Sequence, residues 1–371
     1  MVSWRIWPRM TDLRHRRIAA LADGISSAHL DGLLITGAAN VRYLSGFSGS
    51  SALLFVTQRE TLLITDFRYQ TQAAEEVGEV ARVLIEPQSL WTGLWQQLAQ
   101  VGSVEVAGFE SAHLVHRDFQ RLLEAGSRWQ WRPTLDLVEA LRERKDEDEV
   151  ARIRDAVAAA ERALELTLSR ISAGMTEFEV AGILESALRQ AGSDGFPFPS
   201  IVASGPNAAL PHARPTARKL VRGDFLLLDF GARVGGYCSD ITRTFVIGQA
   251  SAEQRDIYEV VRLANERATR AVRPGMSGRD ADGLARGYIE DRGFGDLFGH
   301  SLGHGIGLEV HEAPRLAKTA EGPLVAGAVV TVEPGIYRPG WGGVRIEDDV
   351  HLGAGGVQVL TRFTRELIEI G

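Results

Sequence analysis

The residues best suited to chemistry lie in the stretch 299–312, where three histidines stand among glycines: His300, His304 and His311. Histidine binds metal ions and transfers protons near neutral pH, and glycine lets the backbone come close to a bound ion or substrate. Taken alone, the stretch could also be a histidine-rich surface loop. The carboxylates elsewhere in the chain decide between these two interpretations.

A first acidic pair accompanies two strand patterns. The apolar segment 225–231 contains Asp229 near its end, and segment 237–245 contains Asp240. The residues between them predict a tight turn. A turn centred on the bond before Gly235 would place the two aspartates directly opposite each other. Like charges on directly opposed residues repel, so a buried pair of this kind needs a cation.

A second acidic pair follows the same arrangement. Glu333 lies near the end of the apolar segment 329–335, and Glu347 lies in segment 342–350. The two glutamates are symmetric about Gly340, which predicts another hairpin with an opposed acidic pair. Solvated acids at strand ends could explain one pair, but they explain two pairs and a histidine-rich loop poorly.

The four carboxylates and one neutral histidine leave four negative charges, which two divalent cations would balance. Carboxylate-rich sites with an imidazole suit Mn, Co, Fe or Zn, and ligand type alone does not choose among these metals. Two bridged metal ions ~3.5–4 Å apart can deprotonate a shared water and polarise a carbonyl. The pattern therefore indicates metal-assisted amide hydrolysis.

Other chemistries fit the sequence less well. There is no His-Glu-x-x-His motif of the zincin type, segment 303–307 lacks the spacing of a dinucleotide-binding loop, and no phosphate-binding loop is present. Cys238 is the only cysteine, which excludes an intrachain disulfide. It is more typical of a small packed residue than of a nucleophile.

Length and composition indicate a two-domain globular protein. The chain has 371 residues, of which 44% are hydrophobic and 24% charged, values typical of soluble proteins with more than one core. A net charge of −7 argues against nucleic acid or an anionic membrane as a partner. No apolar run approaches the ~20 residues of a membrane span, and a single cysteine suits a reducing compartment. We therefore expect a soluble, cytoplasmic protein.

The first part of the chain alternates helix and strand patterns, which predicts an α/β domain of roughly 130 residues. No cluster of metal ligands is visible in this part of the sequence, so its role would be shape, access or assembly. The predicted helices cover 12–30, 68–77, 89–101 and 112–125, and the predicted strands cover 32–36, 52–56, 61–65 and 104–108.

The crossing to a second domain is predicted from segment 129–133 onward, with a short helix at 135–141. The charge run 142–149 is interpreted as a solvated helix junction. Two long predicted helices, 147–171 and 252–272, each precede a Gly-Met-Ser/Thr sequence and a further helix.

These helix starts suggest a partial internal repeat. Thr176 with Glu179, and Ser251 with Gln254, have the spacing of a capping box. Two matching halves predict a pseudo-symmetric domain with its site where the halves meet. Chance similarity of the helix starts is the alternative.

The acidic and histidine motifs resemble the metal motifs of the pita-bread metallopeptidases, a group that includes methionine aminopeptidase, aminopeptidase P, prolidase and creatinase. The five matching segments are 228–231, 239–244, 303–307, 332–337 and 344–348, in order. Segment 40–47 resembles, more weakly, the creatinase-type domain of prolidase and aminopeptidase P. The resemblance implies an α/β (α+β) chain with a creatinase-like domain at 1–133, a linker at 134–146 and a pseudo-symmetric pita-bread catalytic domain at 147–371.

The resemblance implies two divalent metal ions per subunit, with Mn, Co or Zn as candidates. The implied ligands are Asp229, Asp240, His304, Glu333 and Glu347. Asp240 and Glu347 would bridge both ions. Asp229 would hold one ion, and His304 with Glu333 would hold the other. Glu333 would also act as the proton shuttle.

The resemblance also assigns roles to residues around the ligands. His212 matches a histidine that stabilises the tetrahedral intermediate or the leaving amine. His311 matches one that contacts the substrate carbonyl, and His300 matches one that lines a proline pocket. Tyr337 and Arg345 match groups that orient the acidic ligands. By itself, each of these three histidines could be an ordinary loop residue.

The implied reaction is hydrolysis of the bond between an N-terminal residue and proline, whose amide has no N–H. The N-terminal domain argues against methionine aminopeptidase, and the complete ligand set argues against creatinase and against a metal-free binding module. Arg42, on a predicted loop of the N-terminal domain, and Arg315 are candidates to bind the free carboxylate of a dipeptide. The overall length and Arg315 favour prolidase, a dipeptidase, over aminopeptidase P acting on longer peptides. A surface or subunit-contact role is the alternative for Arg42. A homodimer is expected from the family.

Overall fold

The computed structural model describes residues 10–100, 104–125 and 127–371, and the chain divides into two compact units after Arg142. Residues 1–9 of the predicted N-terminal domain, and the predicted helix end at 101, lie outside the described residues. Each unit has its own hydrophobic core. Among the described residues, every helix is too short or too polar to span a bilayer.

The first unit contains a six-stranded mixed sheet with helices between its strands. The strands are β1 (Gly32–Ile35), β2 (Ala52–Thr57), β3 (Thr61–Thr65), β4 (Arg82–Ile85), β5 (Val106–Glu110) and β6 (Gln130–Thr134). Their spatial order is β4-β3-β2-β1-β5-β6. The helices are α1 (Met10–Ser27), α2 (Ala38–Ser45), α3 (Gln70–Val77), α4 (Leu90–Gln100), α5 (His116–Ala125) and α6 (Glu139–Arg142).

Two sequence interpretations near the end of this unit are wrong. Segment 129–133 does not begin a crossing, because β6 pairs in parallel with β5 and Trp131 packs edge-on against Trp95 of α4. The charge run after it is not solvated throughout, since Arg142 and Lys145 are both buried. Nη1 of Arg142 donates to the side-chain oxygen of Asn40 at 2.6 Å. The bounds of the predicted linker at 134–146 stay a prediction.

The second unit repeats one pattern, a pair of helices followed by a sheet. The helices are α7 (Glu147–Leu168), α8 (Glu177–Gln190), α9 (Ala252–Ala271) and α10 (Gly278–Asp291). After the first pair come β7 (Ile201–Ser204), β8 (Phe225–Phe230), β9 (Arg233–Val234), β10 (Tyr237–Cys238) and β11 (Ile241–Ile247). After the second pair come β12 (Gly303–Gly305), β13 (Glu312–Leu316), β14 (Val329–Val332), β15 (Gly335–Arg338), β16 (Gly342–Arg345), β17 (Asp348–Gly353), β18 (Gly356–Val359) and β19 (Glu369–Ile370).

These strands form two main sheets, with order β19-β11-β8-β7 and β13-β12-β14-β17-β18, and two short ribbons, β9–β10 and β15–β16. The inward faces of both main sheets carry apolar side chains that pack against the helices. The polar strand ends are therefore the places where charged side chains can gather.

The helix starts are capped as the sequence predicts. Reciprocal side-chain and backbone bonds join Thr176 to Glu179 at the start of α8, and Ser251 to Gln254 at the start of α9. A third box, begun by Asp146, starts α7 and was not predicted. The boxes of α7 and α9 start the first helix of each pair, so these two caps lie at corresponding places in the two halves and support the predicted repeat.

The first hairpin has a different register from the predicted one. Its turn is centred between Gly235 and Gly236, whose φ angles of 58° and 87° suit glycine in a two-residue turn. Asp229 therefore lies opposite Thr242, and the predicted direct opposition of Asp229 and Asp240 is wrong. Since strand residues two apart face the same side, the two aspartates are diagonal neighbours instead.

The second acidic pair has the predicted register. The β14–β17 and β15–β16 ladders are both symmetric about Gly340, with Val332 opposite Asp348 in one ladder. Glu333 and Glu347 lie opposite each other at the break between the two ladders.

Candidate metal centre

The five predicted ligands come together in the second unit. Asp229 lies near the end of β8, Asp240 just before β11, His304 in β12, and both glutamates at the ladder break. Ligand atoms of Asp240, His304 and Glu347 lie within 4.8 Å of one another. Nε2 of His304 lies 3.5 Å from Oε1 of Glu333.

Burial and mutual repulsion make the carboxyl groups of this cluster weak acids. At Glu347, burial and then the charge of Asp229 raise the pKa to about 8. Burial and then the charge of Glu347 raise the pKa of Asp240 and of Glu333 well above the usual range. Without a cation, the cluster therefore retains protons at neutral pH.

The donor atoms fit divalent cations. Nδ1 of His304 donates to the carbonyl oxygen of Gly305 at 3.0 Å, so the lone pair on Nε2 faces Asp240 and Glu333. Burial lowers the pKa of His304 to about 4, which keeps the ring neutral at pH 7. One buried oxygen of Asp229 and one of Asp240 have no hydrogen-bond partner. Acceptors that face acceptors need a cation between them, and this set suits Mn, Co or Zn.

Arg345 supports the acidic cluster from one side. Its guanidinium donates to Oδ2 of Asp229, to Oγ1 of Thr242 at 3.0 Å and to the oxygen of Tyr337 at 2.7 Å. The Thr242 hydroxyl in turn donates to Glu347 at 2.6 Å. Burial alone would lower the pKa of Arg345, but Tyr337 and the surrounding carboxylates raise it well above its usual value. These contacts support the predicted role of Arg345 and Tyr337 in orienting the acids.

His300 continues this hydrogen-bond chain. The Tyr337 hydroxyl donates to Nε2 of His300 at 2.8 Å, and Nδ1 of His300 donates to the carbonyl oxygen of Ser301 at 2.8 Å. The ring also meets the ring of Phe298 edge-on. Burial and then the charge of Arg345 lower the pKa of His300 to about 4. His300 is thus a neutral, fixed ring in the wall of the site.

His311 and Arg315 lie beside His304. The rings of His311 and His304 meet edge-on with centroids 4.4 Å apart, and Arg315 lies opposite His304 in the β12–β13 ladder. Both His311 and Arg315 are exposed. Burial, and then the charges of His212 and Arg315, lower the pKa of His311. A substrate near the metal ligands would therefore meet a neutral ring and a cation.

The other two predicted site residues lie in different surroundings. His212 is exposed in a turn after the 3₁₀ helix Gly205–Ala209. Burial is the main cause that lowers the pKa of His300 and of His311, and the charge of His212 is a further cause that lowers both. Arg42 lies in helix α2 of the first unit, so its predicted place on a loop is wrong. Its role in substrate binding stays a prediction.

A buried ion pair beneath His311 was not predicted. Nζ of Lys145 lies 3.0 Å from Oε2 of Glu312, and the two side chains are 1% and 6% exposed. Oε1 of Glu312 accepts the backbone N–H of Glu309 at 3.0 Å. The pair thus ties the segment that carries His311 to the start of α7. Only the lysine's position inside a charge run was visible in the sequence, and its partner lies 167 residues away.

Asp349 is a further buried acid that sequence reasoning missed. It is fully buried, and its Oδ2 accepts the backbone N–H of Asp240 at 3.1 Å. Burial is the main cause that raises the pKa of Asp349 well above its usual range. The signal in the sequence was its spacing, because strand residues two apart, such as Glu347 and Asp349, can face one side.

Cys238 is a packed residue rather than a nucleophile. The thiol is buried, with Sγ 3.7 Å from the carbonyl oxygen of Leu308. Burial and then the charge of Glu312 raise the pKa of Cys238 to about 12. The thiol therefore stays protonated and unreactive in the folded protein.

The first unit does contain a group of possible ligand atoms, contrary to the prediction. Atoms of Glu110, His113 and Glu139 lie within 4.8 Å of one another. Nδ2 of Asn40 donates to both glutamates at 2.6 Å, and His113 is hydrogen-bonded to Glu139 at 2.8 Å. Two backbone N–H groups before α2 also donate to Glu110. Protein donors thus satisfy these carboxylates, and the network holds α2 to β5 and α6.

Comparison with known sequence families accounts for both units. The pattern of metallopeptidase family M24 matches residues 151–354, and that of the creatinase/prolidase N-terminal domain matches residues 17–144.

Individual relatives match almost the whole chain. An Xaa-Pro dipeptidase structure from Bacillus anthracis is 39% identical, covers 96% of this chain and 100% of that one, and superposes with a TM-score of 0.93. An X-Pro aminopeptidase structure from Thermotoga maritima is 37% identical, with coverages of 95% and 99% and a TM-score of 0.89. The Xaa-Pro dipeptidase of Pyrococcus furiosus is 34% identical over 95% of this chain and 99% of its own length.

The fold and the acidic site together define a metallo-exopeptidase. The chain belongs to metallopeptidase family M24 and carries the creatinase/prolidase type of N-terminal domain. The expected order, a creatinase-like domain followed by a pita-bread domain, is confirmed.

Removal of metal should make stability depend on pH in a defined direction. Because folding raises the pKa of Glu347 from 4.5 to about 8, the folded metal-free protein binds more protons than the unfolded chain between these values. The part of the stability that depends on Glu347 is therefore present at low pH and is lost as pH rises through about 8. Thermal unfolding of chelator-treated protein across this range checks the prediction. Metal-loaded protein is the control, and an equal slope in both forms would contradict it.

Replacement of Lys145 by methionine should destabilise the protein, because it leaves the buried carboxylate of Glu312 without its partner. The expected loss is about 3–5 kcal/mol, measured by urea unfolding. Arg144→Met changes an exposed neighbour of the same charge and should cost less than about 0.5 kcal/mol. Equal losses in the two variants would mean that the ion pair does not stabilise the fold.

Proposed function

We propose that the protein hydrolyses the peptide bond between an N-terminal residue and proline, and that it prefers dipeptides. The observation that carries the proposal is the cluster of Asp240, His304 and Glu347, whose ligand atoms lie within 4.8 Å of one another, beside the unpartnered buried oxygens of Asp229 and Asp240. The named relatives supply the substrate class, because two of them are Xaa-Pro dipeptidases.

Two divalent ions, with Mn, Co or Zn as candidates, would be held by Asp229, Asp240, His304, Glu333 and Glu347. Bound divalent ions lower the pKa of water and polarise carbonyl groups. The buried strands and Arg345 keep the carboxylates in place before any ion arrives, so little reorganisation is needed.

The remaining chemistry falls to side chains around the acids. Glu333 would accept a proton from the attacking water at a carboxylate oxygen and return it to the proline nitrogen. His311 would donate a hydrogen bond to the scissile carbonyl. His212, exposed in the turn after the 3₁₀ helix Gly205–Ala209, would stabilise the tetrahedral intermediate or the leaving amine.

The ring of a substrate proline would fit against the part of the site wall that His300 forms. The His300 ring packs edge-on against the buried Phe298 and lies beside the ring of Tyr337, and a proline ring offers no N–H that would need an acceptor there. This supports a substrate whose second residue is proline.

The preference for dipeptides rests on Arg315. A dipeptide ends in a carboxylate next to the proline ring, and an exposed guanidinium beside His304 could bind it through two hydrogen bonds. Arg42 is a second candidate, from the first unit. Aminopeptidase activity on longer peptides is the alternative, and the similarity to the Thermotoga maritima enzyme favours it.

A metal-free binding module is the alternative from another class. It is disfavoured because all five acceptor side chains are present and two of their buried oxygens have no partner. The protein is also proposed to be cytoplasmic, which the single cysteine supports. It is further proposed to form a homodimer, which the family resemblance supports.

The proposed activity predicts metal-dependent release of proline from an Xaa-Pro dipeptide. Chelator treatment should abolish turnover, and addition of Mn²⁺, Co²⁺ or Zn²⁺ should restore it. Asp240→Asn should stay inactive after add-back and bind less metal, because it weakens a shared ligand. The exposed Asp194→Asn is the matched control. Turnover that survives chelation would rule out the metal mechanism.

Arg315→Ala should selectively impair dipeptides. Loss of a charged hydrogen bond of about 1.5–3 kcal/mol lowers kcat/KM about 10- to 100-fold. The same dipeptide with an amidated C-terminus, and an Xaa-Pro-Xaa tripeptide, should be hydrolysed at nearly the wild-type rate. Arg42→Ala tests the second candidate in the same assay. If either variant leaves the ratio of dipeptide to tripeptide rates unchanged, that arginine does not bind the carboxylate.

A further inference from the structure

The His212 loop, defined as residues 205–216, has its two ends held by one carboxylate. That carboxylate belongs to Glu177, the first residue of α8. The Glu177 side chain is completely buried. Ser204 lies immediately before the loop and Thr216 is its last residue, so a contact with both of them closes the loop at its base.

Six donor contacts converge on Glu177. Oε1 accepts the backbone N–H of Ser204 at 2.7 Å and its hydroxyl at 2.8 Å. Oε2 accepts the backbone N–H of Thr216 at 2.9 Å and its hydroxyl at 2.6 Å. The side-chain amide of Asn207 approaches both oxygens at 3.1 and 3.2 Å. Each oxygen thus binds one end of the loop, and the acid acts only as an acceptor.

A second contact fixes the loop against the site itself. The carbonyl of Ala208 packs so closely on Gly343 of β16 that any Cβ at Gly343 would overlap it. Two residues further along this strand is Arg345, which binds Asp229. The loop therefore packs, at Ala208, against the strand that supports the acidic cluster.

The second half of the unit has a corresponding device. Asp282 of α10 forms a buried two-point ion pair with Arg286 at 2.6 and 2.9 Å. Arg286 donates to the carbonyl oxygens of Phe298 and His300 at 2.8 and 2.7 Å, and Asp282 accepts the N–H of Leu302 at 3.0 Å. In each half, a buried acid on the second helix anchors the segment that carries a substrate-side histidine.

We propose that Glu177 is a positioning residue for the reaction, which acts by holding His212 in place. The inference rests on the role of His212 in the proposed function. On this proposal, the hydrogen bonds of Glu177 fix the geometry of the site. They are not needed to cap α8, because Thr176 and Glu179 already cap it.

The substitution Glu177→Gln isolates this role. A glutamine side chain keeps the volume, but its amide group would face the donors of either Ser204 or Thr216. One end of the loop would then lose its acceptor. Glu179→Gln is the matched control, since Glu179 lies in the same helical turn, is exposed and accepts hydrogen bonds from Thr176.

The first experiment follows hydrogen exchange of peptides that cover 204–216 in the metal-loaded protein. Glu177→Gln should accelerate exchange in this segment by about tenfold or more, whereas Glu179→Gln should leave it as in the wild type. Unchanged exchange in Glu177→Gln, or equal acceleration in both variants, would overturn the proposal. This measurement needs no substrate.

The second experiment is a double-mutant cycle with His212→Ala on an Xaa-Pro dipeptide. Glu177→Gln should lower kcat about tenfold with little change in KM, and it should lower kcat no further when His212 is already alanine. Independent, multiplicative losses would overturn the proposal. Wild-type kcat in His212→Ala alone would overturn the proposed role of His212 and this inference with it. That outcome is distinct from multiplicative losses, which remove only the link to Glu177.

A milder variant covers the case in which Glu177→Gln does not fold. Thr216→Val removes one hydroxyl donor to Glu177 at nearly constant volume. It should show the same pattern at smaller size, with faster exchange of the loop and a loss of kcat that disappears in the His212→Ala background. If kcat falls equally in both backgrounds, the proposal is wrong.

Discussion

Repulsion among buried carboxylates is the constraint on which the rest of the second unit depends. Asp229, Asp240, Glu333 and Glu347 lie at or beside the ends of apolar strands, where little water reaches them to screen their charges. Arg345 binds Asp229 directly. Its single positive charge does not balance the four negative charges that the ionised cluster would carry. A structure of this kind is tolerable because the surrounding sheets and helices are well packed, and because the missing charge can be supplied by ions.

The same low-dielectric surroundings make the histidines neutral. Burial is the main cause that lowers the pKa of His300 and His304 to about 4. In each ring, the Nδ1–H group also donates a hydrogen bond to the backbone carbonyl oxygen of the next residue. The rings are thus fixed in tautomer and orientation by short local bonds, while longer-range contacts from α10 fix the segment 298–302 that carries His300 and precedes His304. Rigid helices, rather than the loops themselves, set the shape of the site.

Much of the acidic site was predictable because it follows from strand patterns. An apolar run that ends in a carboxylate places that acid at a strand end, and the symmetry about Gly340 gave the correct register for the second pair. The first register failed because two adjacent glycines allow more than one turn centre, and sequence does not choose between them. The buried Lys145 and the acceptor Glu177 could not be predicted, since their partners are distant in sequence or are backbone groups. A charge run looks solvated until the fold supplies a partner.

Because its one cysteine, Cys238, is buried, the chain is convenient for site-directed labelling. Cys238 is the sole cysteine in the sequence, it is buried, and burial raises its pKa to about 12. Maleimide or spin-label reagents that attack thiolates would therefore leave the native fold unmodified. A cysteine placed at an exposed position such as Leu210, on the His212 loop, would be the single reactive thiol. Fluorescence or electron paramagnetic resonance could then follow that loop without first removing any native residue.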